Sequence, residues 1–145
     1  MRPCRILAAL CFGALSALTG CGAKEQSAVT DPAAGAVDAR GELLSYACQA
    51  CHSLEAGEAH RVGPNLYGVF GRRAGTAPGF DYSPALRDLD LVWSADALER
   101  WLADPLGFAP GTTMAFTGYQ DAGDRQALIT YLERVTGPAP GTGTE

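Results

Sequence analysis

Apolar residues recur at helical spacing in three stretches of the chain, and no window alternates apolar and polar positions as a half-buried strand would. Leu43, Leu44, Ala47 and Ala50 predict a first helix over 39–50. Ser94 is placed to cap a second, running to Asp104 and stopped by Pro105, with Leu98, Trp101 and Leu102 on its inner face. Asp121 or Asp124 opens the last, where Leu128, Tyr131, Leu132 and Val135 form an i, i+3, i+4, i+7 stripe. Ser83-Pro84 adds a short helix to Arg87 or Asp88, because proline suits the first helical position. Between the first helix and Ser83, residues 55–77 hold Gly57, Gly63, Pro64, Gly68, Gly71 and Gly75, too many breakers for regular structure. The pattern therefore predicts an all-α domain of about four helices and loops over 39–136, with a polar, disordered tail over 137–145.

The first twenty residues do not belong to that domain. Arg2 and Arg5 precede an apolar run from Ile6 to Leu18, too short for a transmembrane helix, and together they read as a removed leader over 1–20. Leu18-Thr19-Gly20-Cys21 resembles the lipobox of bacterial lipoprotein signals, in which the cysteine becomes the first residue and carries lipid. An ordinary signal peptide cut near Gly20 or Ala23 is the alternative. Lipid at Cys21 would anchor the chain to a membrane of the cell envelope, facing the periplasm, through several acyl chains. Residues 22–38 are rich in Ala, Gly, Ser and Thr with Pro32 the single proline, so 21–38 is expected to be a lipidated N-terminus and flexible tether.

Charge narrows the partners. Eleven basic residues face 16 acidic ones, for a net charge of −5, and loss of Arg2 and Arg5 makes it −7. An acidic surface with a single lysine argues against nucleic acid and against adhesion to anionic lipid.

Cys48-Gln49-Ala50-Cys51-His52 is the stretch that carries chemistry. A Cys-X-X-Cys-His run attaches haem covalently: two thiols at i and i+3 reach the two vinyl groups of one porphyrin, and the adjacent imidazole turns beneath the iron. A zinc site needs a second pair of ligands at similar spacing, and a thioredoxin-like pair needs a βαβ unit; neither follows here. With Cys4 and Cys11 in the leader and Cys21 assigned to lipid, no disulfide remains. Haem also explains how so few helices form a domain, since it supplies an apolar centre, and the apo chain is expected to fold poorly.

His52 is the expected proximal ligand. For the opposite side of the iron the mature chain offers His60, in a polar loop, and Met114, in a loop that follows a helix.

Several further motifs carry a resemblance. Gly63-Pro64-Asn65-Leu66, Gly68-Val69-Phe70-Gly71-Arg72, Pro78-Gly79-Phe80-Asp81-Tyr82-Ser83, Trp93, Asp104-Pro105 and Pro110-Gly111-Thr112-Thr113-Met114 stand in the order and spacing of class I cytochromes c, in the mitochondrial and bacterial c2-like branch. The likeness spans about 39–135. It implies that Met114 is the distal ligand, that the Pro64 carbonyl accepts a hydrogen bond from His52, and that Arg72, Tyr82 and Trp93 hydrogen-bond a buried propionate. A solvent-exposed Arg72 and a Trp93 that merely fills the core is the plainer alternative.

The chain departs from the family in three places. Leu86 stands where an asparagine is usual, and Trp101 where a tyrosine usually bonds the methionine sulfur. The ring of lysines at the haem edge is replaced at Ala47, Leu106, Gly107, Thr113, Gln120, Asp121 and Ala122.

Histidine and methionine on one iron leave no vacant position and favour the ferrous state. The resulting expectation is a monomeric electron carrier, not an enzyme, passing single electrons between a donor and an acceptor protein of respiratory or photosynthetic membranes. A peroxidase or gas sensor with a labile Met114, or a fixed subunit of an oxidase or dehydrogenase, are the alternatives.

Overall fold

A computed structural model of the protein describes residues 32–137. The leader, Cys21, the first part of the tether and the tail from 138 lie outside the described residues. Five helices follow one another: α1 (Pro32–Gln49), α2 (Pro84–Arg87), α3 (Ala95–Ala103), α4 (Pro105–Phe108) and α5 (Ala122–Thr136). The only β pairing among the described residues is an antiparallel bridge between Arg73 and Val92. The all-α reading holds; the first helix starts earlier than expected and a one-turn helix is added.

The first helix starts at Pro32, seven residues before the expected 39, so the later part of the stretch read as tether is helical. Its proline occupies the first helical position, where a missing N–H costs nothing. Asp38, ahead of the expected start, accounts for part of the extension by pairing with Arg134 at 2.8 Å, and together with the Arg40–Asp124 pair at 2.8 Å it ties α1 to both ends of α5. Pro105 stops α3 as expected and then starts the one-turn α4, because the Asp104 carboxylate accepts from the Gly107 N–H at 2.9 Å. At the start of α5 the cap is Asp121, whose carboxylate accepts from the Asp124 N–H at 2.8 Å. Ser83 heads α2 without a side-chain cap; its carbonyl takes the Leu86 and Arg87 N–H groups instead.

The crossing of α1 over α5 organises the molecule. Gly41 sits at that crossing, where a β-carbon would lie 2.6 Å from Tyr131 Cβ and would also strike the Ala127 carbonyl. Leu44 and Ser45 are buried beside it, whereas Leu43, Ala47 and Ala50 face outward. Of the stripe predicted from spacing only Leu44 is core, and Ala47 reaches the cavity wall from the exposed side, because the small residues Gly41 and Ser45 make the closer packing face. On α5, Leu128 and Leu132 are buried as expected, Tyr131 and Val135 only partly. Ile129, off that stripe, is buried too, since α5 packs on α1 along one flank and on α3 along another. Arg125 and Glu99, 2.7 Å apart, join α5 to α3.

The glycine-rich stretch is an ordered frame. Asn65 Nδ2 donates to the carbonyls of Glu55 and Glu58 at 2.8 and 2.9 Å, while its Oδ1 accepts from the Tyr67 N–H at 2.7 Å. His60 Nδ1 accepts from the Asn65 N–H at 2.9 Å, so the neutral ring donates Nε2–H to the Pro78 carbonyl at 2.9 Å. Gly68 N–H donates to the Thr136 carbonyl at 2.7 Å, pinning the frame to the end of α5.

Candidate haem site

The end of α1, the glycine-rich frame and the loop after α4 enclose an apolar cavity of about 250 Å³. Helix α1 runs into it: the Cys51 and His52 N–H groups both donate to the Cys48 carbonyl, at 3.0 and 2.8 Å, which curls the chain so that Cys48, Cys51 and His52 all line the wall. Arg61 fastens this curl from outside, donating to the Gln49 carbonyl and, at 3.5 Å, to that of His52.

His52 Nδ1 donates to the Pro64 carbonyl at 2.7 Å, which assigns the proton to Nδ1 and leaves Nε2 as the free electron pair. Burial lowers the imidazole's pKa, and the bond to Pro64 offsets part of that. The ring is therefore held neutral, the form in which a histidine ligates iron. Burial also pushes the Cys48 thiol up to about 11.

All eight residues anticipated for the site line the one cavity: Cys48, Cys51, His52, Pro64, Arg72, Tyr82, Trp93 and Met114. His60 does not line it, and both its ring nitrogens are engaged elsewhere. Met114 is thus the one thioether in the cavity wall, held by a loop in which its N–H donates to Thr112 Oγ1 at 3.3 Å and its carbonyl accepts from the Phe116 N–H at 3.0 Å.

Arg72 is half-buried and not out in solvent. Its guanidinium donates to the carbonyls of Asn65 and Tyr67, each at 3.1 Å, and burial lowers its pKa while Tyr82 works the other way. A cation held short of water beside a phenol favours an anion against it. Trp93 is placed by the bridge strandlet, donating its N–H to the Arg72 carbonyl at 2.9 Å.

Both family departures in the interior face the cavity. Leu86 is buried in its wall, and Trp101 packs edge-on to Trp93 and Phe108 at 5.6 and 5.8 Å between ring centroids. Residues without an anticipated role also matter. Gly63 abuts the His52 ring, and Phe80 stands edge-on between His60 and Tyr82. A glycine directly before the proline that receives the histidine bond was the visible signal for the first.

Two thiols, a neutral imidazole with its outer nitrogen free, a thioether, a guanidinium and an otherwise apolar wall fit one haem. No protein-family model matches the chain. A cytochrome c of Cochliobolus lunatus is 42% identical over 94 residues, covering 65% of this chain and 87% of the relative. That of Arabidopsis thaliana is 42% identical over 94 residues, 65% and 84% of the two chains, and that of Kluyveromyces lactis 41% over 90 residues, 62% and 82%. The chain belongs to the cytochrome c family. Its helices form the class I cytochrome c fold, and it carries one haem c attached through Cys48 and Cys51. As a cytochrome c it is a monohaem electron carrier and not an enzyme.

Proposed function

We propose that this cytochrome c is anchored by lipid at Cys21 to a bacterial cell-envelope membrane, faces the periplasm and relays single electrons between donor and acceptor complexes there, with His52 and Met114 as its iron ligands. The observation that carries the ligand assignment is the His52 Nδ1–Pro64 carbonyl bond, at 2.7 Å, in a cavity whose wall also holds Met114. When bound, haem supplies a reversible one-electron couple.

The chain's own residues set the conditions for that couple. The Pro64 carbonyl fixes the tautomer of His52 and raises its basicity. Leu66, Val69, Leu98 and Leu102 line the cavity with apolar surface that would exclude water from a bound haem. Arg72, Tyr82 and Trp93 are the residues that would receive a buried propionate, an arrangement whose charge-assisted bonds offset the cost of desolvation.

The anchor reading is supported by the cysteine following Leu18-Thr19-Gly20 and by the short polar run between it and Pro32. Among the described residues no helix is long and apolar enough to cross a membrane.

The deciding experiment is an absorption spectrum of the mature holoprotein in both oxidation states beside Met114→Ala. A weak far-red sulfur-to-iron band in the oxidised protein, lost in the variant, supports histidine–methionine ligation; a high-spin spectrum that binds carbon monoxide readily defeats it. Mass spectrometry of the membrane fraction tests the anchor: a diacylglyceryl Cys21 supports it, and an unmodified terminus beyond Cys21 rejects it.

A further inference from the structure

Helix α1 has two uncharged faces. Gly41, Leu44 and Ser45 make the one that packs on α5. Along the opposite side Ala36, Ala39, Leu43 and Tyr46 follow one another at steps of three and four residues, all exposed, Leu43 and Tyr46 at 58% and 59%. Ala50 continues the line, because its N–H donates to the Tyr46 carbonyl at 3.2 Å and prolongs the last turn. At the helical angle per residue these five lie within an arc of about 80°.

The outward side of a surface helix is ordinarily its charged side. Here the charges lie off the stripe: Asp38 and Arg40 turn to α5, pairing with Arg134 and Asp124 at 2.8 Å each, and Glu42 stands at the border. The described residues carry 13 acidic side chains against eight arginines, so five exposed positions in line without a charge set the stripe apart from the rest of the surface.

A lipid bilayer is the occupant favoured by the chain ahead of α1. The eleven residue steps from Cys21 to Pro32 reach at most about 40 Å, and they enter the helix, itself about 27 Å long, at its first residue. With lipid at Cys21 the helix stays beside the bilayer, and the effective concentration set by the tether populates an apolar contact too weak to hold a free protein. Leucine and tyrosine suit such a contact, the one by its apolar bulk and the other by a ring that keeps its hydroxyl among the headgroups. The stripe has no basic side chain, so its contact is apolar and not an attraction to anionic lipid.

We infer that the exposed stripe of α1, Ala36, Ala39, Leu43, Tyr46 and Ala50, is a docking surface for a zwitterionic lipid bilayer: the helix lies along the membrane that holds Cys21 and sets the tilt of the haem cavity above it. The inference deepens the anchor reading and rests on it.

The test places the full acylated holoprotein, reduced, on phosphatidylcholine nanodiscs in which a few lipids carry a nitroxide, and reads the broadening of each amide resonance. Broadening is expected to be strongest along α1, from 36 to 50, and weak on α5, which packs against the other face of that helix. Leu43→Glu removes the leucine and adds a charge at the contact, so its α1 broadening should fall at least about tenfold. Thr130→Glu adds the same charge at an exposed site of α5 and should leave the pattern unchanged. Tyr46→Glu makes the same comparison if Leu43→Glu fails to assemble. Added salt should not weaken the contact, because no ion pair holds it, and a steep loss with salt overturns its apolar basis. Broadening that is even over the surface, centred on another face or unchanged in Leu43→Glu overturns the inference and leaves the anchor standing. Resonances of the stripe that shift with protein concentration and ignore the labelled lipid would assign it to a second copy, and overturn the inference too. A chain that is unmodified at Cys21 and washes off the disc defeats the anchor reading, and this inference with it.

Discussion

Gly63 lies so close to His52 that a β-carbon on it would sit 2.6 Å from the imidazole Nδ1 and 2.8 Å from Nε2. The backbone of the frame therefore forms the backing of the ring, and the carbonyl of the next residue, Pro64, accepts the Nδ1–H hydrogen bond. No side chain larger than hydrogen fits between them.

Gly63→Ala should push the ring off the Pro64 carbonyl. Such overpacking costs about 1–3 kcal/mol. The denaturation midpoint of the holoprotein is expected to fall, and its reduction potential to shift as the bond at Nδ1 weakens. Unchanged values of both would show that the ring is not held this way.

Gly41 poses two opposing effects. Replacing it with alanine raises helix propensity by about 1 kcal/mol, but the new methyl group meets the Ala127 carbonyl and Tyr131 Cβ, neither of which is a flexible end. Separation of α1 from α5 is expected to win, with a net loss of about 1–2 kcal/mol in equilibrium unfolding of the holoprotein. A net gain would mean the helices can part without losing contacts.

The haem motif, the helical class and the cap Ser94 were legible, and the start of the last helix was narrowed to Asp121 or Asp124, because each depends on residues close together in sequence. The convergence of the eight anticipated residues has a different reason: the spacing of Pro64, Arg72, Tyr82, Trp93 and Met114 follows the family's, and the fold converts that spacing into one cavity wall. What stayed hidden depends on packing between distant segments. Leu43, Ala47 and Ala50 match a core stripe, yet the approach of Gly41 to Ala127 turns α1 the other way. Nothing local to 32–38 announces the added turns of α1, because Asp38 finds Arg134 only after folding.

Arg125 ties the segment after Met114 to the helices. It donates to the carbonyls of Tyr119 and Gln120, at 2.7 and 2.9 Å, and pairs with Glu99. Arg125→Met should lower stability by about 1–3 kcal/mol, less than a fully buried pair because Glu99 is a third exposed. It should also loosen the methionine loop, so that, with Met114 as the proposed iron ligand, an added imidazole displaces it faster in the oxidised protein. Glu99→Gln, which keeps the two carbonyl bonds, is expected to change the displacement rate less; equal effects would assign the role to the ion pair alone.

Asp124 provides an acid limb whose sign is fixed by its partner. The Arg40 side chain bonds and attracts its carboxylate, holding the pKa below the ordinary 3.8. A group whose pKa is depressed on folding contributes stability that is fully present above the unfolded value and lost as pH falls through the folded one. Asp124→Asn should therefore be less stable than the parent near neutral pH, and the two should converge once the pH drops below the depressed value. Both side chains are at the surface, so the difference should also shrink with added salt. A constant gap at every pH, measured by denaturant midpoints, would place the effect in helix capping and not in the ion pair.

Alkaline behaviour follows from what the methionine loop lacks. In the family that this chain resembles, lysines of that loop replace methionine on the iron at high pH. Residues 32–137 contain no lysine, and the loop around Met114 carries only Thr112, Thr113, Ala115 and Phe116 beside it. Arginine cannot substitute, because its guanidinium stays protonated. Raising the pH of the oxidised protein is therefore expected to yield no lysine-ligated form, and loss of the far-red band should give way to hydroxide ligation instead. Paramagnetic resonance spectra distinguish the two outcomes, and a low-spin amine-ligated species in protein lacking Lys24 would contradict the prediction.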